Sequence, residues 1–65
     1  MEAQQHWFRF NDARNAAVWR AYETNTPFMV VDIDGSYCID KVRARLPPGC
    51  SRVAHVYPGD SIHLD

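Results

Sequence analysis

Sixty-five residues are enough for one small domain, near the lower limit at which a hydrophobic core holds a fold unaided, and too few to add a deep substrate pocket. The chain is 46% hydrophobic and 23% charged, as in ordinary globular domains, and it has no apolar run near the ~20 residues that span a bilayer. Seven basic and eight acidic residues leave a net charge of −1, which matches neither a strongly basic nucleic-acid-binding domain nor a heavily acidic phosphate imitator.

The segment 1–6, Met-Glu-Ala-Gln-Gln-His, lacks the basic start and apolar stretch of a secretory leader, so a cytoplasmic location is expected. The two cysteines, Cys38 and Cys50, do not make a disulfide scaffold; the expectation is a buried thiol at 38 and a loop thiol at 50.

In chain order, the aromatic run 6–10 reads as a first strand, with Phe8 and Phe10 on one face. Asn11 or Asp12 is expected to cap a helix beginning at Ala13, and Pro27 to close it near Thr26. This helix carries Ala13, Ala16 and Ala17 on one side, with Val18, Trp19 and Tyr22 roughly opposite. Aromatic side chains bring the larger burial energy, so their face is the expected core face; close packing of the alanine face is the alternative.

Residues 28–33 form an apolar strand, Asp34-Gly35 a two-residue hairpin turn, and residues 37–43 the return strand. That register sets Val31 opposite Cys38 and Val30 opposite Ile39, both apolar pairs. After the break at Pro47-Pro48-Gly49, a strand is expected over 52–57, a turn at Pro58-Gly59-Asp60, and a short strand over 61–64. The whole is a single α+β domain over residues 1–65, β-α-β-β-β-β, with one helix packed on a small, mostly antiparallel sheet. Its expected core is Phe8, Phe10, Trp19, Tyr22, Phe28, Val30, Ile39, Val53 and Ile62.

No catalytic motif joins the cysteines, histidines and aspartates, and an enzyme is not expected. No glycine-rich loop precedes the helix, so no phosphate cradle and no cofactor are expected. The cysteines are too far apart in sequence for a zinc pair, and His55 and His63 supply at most half a site, so no metal is expected.

Two charged groups and two aromatics remain as candidate contact residues. Tyr37, Lys41, Arg43 and Arg45 alternate along one strand and so share a face, where they have the chemistry to stack on bases and neutralise phosphates. Asp32 and Asp34 point one way from theirs, with the spacing to imitate phosphates. Trp7 and Trp19 are the fallback anchors, because aromatics dominate protein interfaces.

In its brevity and lack of motifs the whole chain resembles, as a class, the small proteins encoded by phages and mobile elements, anti-CRISPR inhibitors among them. The resemblance implies a non-enzymatic inhibitor in the bacterial cytoplasm. Its partner would be a larger bacterial protein or ribonucleoprotein complex whose DNA binding it blocks. No residue is carried over from that class. A small nucleic-acid-binding module on the basic strand, and an antitoxin or small subunit of an obligate complex, are the alternatives. Membrane and small-molecule partners are not expected.

Overall fold

The structure, a computed structural model, describes residues 5–43 and 45–62. One helix, α1 (Phe10–Thr24), packs on a three-stranded antiparallel sheet of β1 (Phe28–Ile33), β2 (Ser36–Lys41) and β3 (Cys50–Val56), in the order β2-β1-β3. The fold is α+β, as expected. Among the described residues the element order is α-β-β-β.

The unbroken apolar run Phe28-Met29-Val30-Val31 takes the central position and is buried on both faces of the sheet. The hairpin register is the expected one, with Val31 opposite Cys38, Val30 opposite Ile39 and Asp32 opposite Tyr37. Asp34 and Gly35 both have positive φ, 54° and 90°, as a tight two-residue hairpin turn requires. The Gly35 N–H donates to Asp32 Oδ1 at 3.3 Å, which braces the turn.

β3 starts two residues earlier than expected, and the register against β1 shifts between Val30 and Val31. Ala54 pairs with Val30 and Arg52 with Val31, so Val53 is the extra residue of a bulge. Val53 therefore turns outward and is exposed rather than in the core.

The first expected strand reduces to one bridge. Trp7 and Tyr37 exchange both backbone hydrogen bonds, at 2.9 and 2.7 Å, on the outer edge of β2. α1 then begins at Phe10, with extended Arg9 at its N-cap and no side-chain capping bond. Asn11 and Asp12 lie inside the first turn, where the Asp12 charge favours the helix N-terminus. Phe10, read as a strand residue, instead turns its ring edge-on to Tyr37 at 5.9 Å. At the other end Asn25 adopts the left-handed conformation, and the Thr26 N–H donates back to the Ala21 carbonyl at 3.2 Å. Residues 61 and 62 are not strand, and the rest of the expected final strand, with His63, lies outside the described residues.

The buried face of α1 centres on alanines, Ala13, Ala17 and Ala21, and takes in Val18 from the side expected to be aromatic; Ala16 is half-buried, and Trp19 and Tyr22 are exposed. This reverses the expectation, and the sheet gives the reason. Phe28, Val30 and Val56 already fill the space beneath the helix, so small helix residues are what permit a close approach. Trp7, Phe10, Tyr37, Ile39, Ala54 and Ile62 close the margins of this core. Of the expected core, Phe28 and Val30 are buried and Phe10, Ile39 and Ile62 are marginal, whereas Phe8, Trp19, Tyr22 and Val53 are exposed.

Candidate functional site

The alternation of β2 decides where the basic residues go. Tyr37 and Ile39 point under the helix, and Lys41, opposite Phe28, lies on that same side at the strand end. β2 stops at Lys41, so the alternation does not continue. Arg43 comes round to the other face, where it pairs with Asp40 at 2.7 Å. Arg52 donates to the Arg43 carbonyl and ties the segment after β2 to β3. Arg45 is exposed in irregular chain. The expected single cationic face of Tyr37, Lys41, Arg43 and Arg45 is therefore not formed.

The acidic pair serves the hairpin. Asp32 is half-buried and its Oδ1 accepts the Gly35 N–H; Asp34 is itself a turn residue beyond the end of β1. Trp7 is half-buried against the core margin, held by its bridge to Tyr37.

The second sheet face carries both thiols. Cys38, Cys50, Met29, Val31, Leu46 and Pro47 contribute to a groove of about 300 Å³. Both cysteines are free and Cys38 is buried, as expected, whereas Cys50, expected in a loop, opens β3 opposite Ile33 and is half-buried. Burial pushes the Cys38 thiol above its ordinary pKa, and nearby Cys50 adds to the shift. His6 Nδ1 lies 3.2 Å from Cys38 Sγ and 3.3 Å from Ser36 Oγ. Among the described residues no group of three or more His, Cys, Asp or Glu side chains is placed to hold a metal ion.

A second groove, of about 320 Å³, runs between the outer face of α1 and the chain that returns after β3. Its walls are Trp19 and Tyr22, with Val18 and Ile62 below and Gly59 and Asp60 opposite. The two rings meet nearly perpendicular, at 88° and 6.4 Å between centroids. Trp19 is 59% exposed and Tyr22 68%. Tyr57, at the start of the return, is 53% exposed.

Local turn chemistry builds the far wall. The Asp60 N–H donates to the Tyr57 carbonyl at 3.1 Å, and the Tyr57 N–H donates to Asp60 Oδ2 at 2.9 Å. Gly59, at φ 97°, takes the positive angle that this Pro58-Gly59 turn needs. Arg14 Nη1 donates to the Ser61 carbonyl at 2.8 Å and fixes the return against the helix. The sequence places Tyr22 and Val18 on the same helix side as Trp19, but it does not bring Gly59, Asp60 and Ile62 to that side; the signal for them is the reciprocal Tyr57–Asp60 spacing around Pro58-Gly59.

Comparison with protein-family models, with curated proteins and with solved structures returned no match. No helix among the described residues is long and apolar enough to cross a membrane.

Proposed function

We propose that this chain is a non-enzymatic protein-binding inhibitor, in its most specific form an anti-CRISPR-type protein that blocks DNA binding by a bacterial defence complex. The observation that carries the reading is the outer face of α1, where Trp19 and Tyr22 stand exposed beside an apolar groove. Large aromatics left in water cost free energy that a partner recovers by covering them, and aromatic anchors supply much of the energy of protein interfaces. The alanine packing of α1 also supports it, since the core closes without these rings. Asp32 and Asp34 are used by the hairpin turn and Arg43 pairs with Asp40, so the aromatic groove is the favoured contact surface.

The test is capture of a bacterial DNA-binding assembly from host lysate by the tagged chain, followed by a DNA-binding assay on that assembly. A stoichiometric complex with lost DNA binding supports the reading. An assembly that still binds its DNA when saturated with the chain, or no specific capture, ends it.

A further inference from the structure

The chemistry of the aromatic groove selects its occupant. Among the described residues that line it, Val18, Trp19, Tyr22, Gly59 and Ile62 are apolar, aromatic or glycine, and Asp60 supplies the charge. An apolar side chain seated there would strip water from the Asp60 carboxylate and give it no partner. An anion would be repelled. A cation satisfies both halves of the groove, because aromatic faces attract positive charge through their quadrupole while the carboxylate pairs with it directly.

The perpendicular rings of Trp19 and Tyr22 offer an aromatic face in two directions. Asp60 spends Oδ2 on the Tyr57 N–H, and a carboxylate has acceptor capacity beyond that one bond. Arg14 is engaged by the Ser61 carbonyl and does not line the groove. Among cations, a guanidinium is planar and weakly hydrated; it stacks on rings and bonds a carboxylate in one geometry, which a compact, strongly hydrated ammonium does not. The volume, about 320 Å³, lies at the small end of ligand pockets and suits one side chain.

We propose, on the protein-binding reading above, that the groove takes an arginine side chain of the partner protein, its guanidinium stacked on the exposed aromatic surface of Trp19 and Tyr22 and bonded to Asp60. An inhibitor of this kind engages a basic, phosphate-binding surface by capturing one of its arginines.

The experiment needs no partner. The isotope-labelled full chain is titrated with Nα-acetyl-arginine methylamide, and in parallel with its citrulline and norleucine counterparts, which keep the shape or the apolar stem without the charge. At about 50 mM arginine probe, where a site of millimolar Kd is saturated, the Trp19 indole N–H and the Gly59 and Asp60 amides move saturably. The citrulline probe binds at least about fivefold more weakly. Asp60→Asn, which keeps an acceptor for the Tyr57 N–H, weakens arginine binding several-fold. Trp19→Leu abolishes it while the remaining amide spectrum stays native. Equal response to arginine and citrulline, no saturable change at Trp19, or full binding by Asp60→Asn overturns the assignment. Arginine binding without capture of any defence assembly would retire the inhibitor reading and leave the groove chemistry standing. Capture and inhibition without arginine binding would do the opposite.

Discussion

Tyr57 and Asp60 close a reciprocal turn: each backbone N–H donates to the other residue, to the Asp60 carboxylate at 2.9 Å and to the Tyr57 carbonyl at 3.1 Å. The turn sends the chain back along α1, so that Gly59, Asp60 and Ile62 face Val18, Trp19 and Tyr22. Asp60→Ala is expected to destabilise the protein by about 1 kcal/mol, the loss of one charge-assisted bond at a half-exposed turn. Asp60→Asn should keep most of that stability. Thermal melts of the two variants check it; equal losses would mean that the hydrogen bond does not hold the turn.

The buried face of α1 is tested by substitutions of opposite size. Ala17→Leu forces new volume between helix and sheet and is expected to cost about 1–3 kcal/mol or more. Trp19→Ala, on the exposed face, should change stability by no more than about 0.5–1 kcal/mol. Denaturant unfolding of both reads the answer, and a large loss in Trp19→Ala with a tolerated Ala17→Leu would put the aromatic face back in the core.

Phe28→Ala removes a buried ring from the central strand and is expected to cost about 3–5 kcal/mol, much of the stability of a domain this small. Phe8→Ala, at a side chain 85% exposed, should be nearly neutral. Similar melting temperatures for the two variants would contradict the placement of Phe28.

The raised Cys38 pKa carries a sign. The native state holds the thiol proton more tightly than the unfolded chain does, so stability is intact below the ordinary thiol pKa. It then falls as pH rises through the alkaline range in which the unfolded thiol ionises first. Cys38→Val should lose less stability than the wild type over that alkaline range. At neutral pH a thiol reagent should label half-buried Cys50 before buried Cys38. Identical alkaline slopes, or Cys38 labelling first, would contradict this.

The hairpin was legible in the sequence because its determinants are local: Asp34-Gly35 tolerates positive φ at both positions, and the apolar pairs at Val30 and Val31 fit one register. The helix face was not legible, because the deciding volume lies in β1 and β3, on Phe28, Val30 and Val56, and no property of α1 alone reveals it. The run Trp7-Phe8-Arg9-Phe10 carries strand propensity, yet Phe10 gains more by packing on Tyr37 from the first helical turn. The basic face was lost for a geometric reason. Alternation holds only as far as the strand, and β2 ends at Lys41, before Arg43 and Arg45. The aromatic groove depends on two elements far apart in sequence, α1 and the return after β3, and the sequence of α1 alone shows only its Trp19–Tyr22 wall.

If the exposed aromatic face of α1 is the contact surface, affinity for a captured partner depends on Trp19 above all. The Kd of Trp19→Ala should rise about 30-fold or more, as for an interface anchor, while Phe8→Ala and Asp34→Lys bind as the wild type does. Wild-type affinity in Trp19→Ala, with loss of binding in Phe8→Ala or Asp34→Lys, would contradict it and place the interface elsewhere on the molecule.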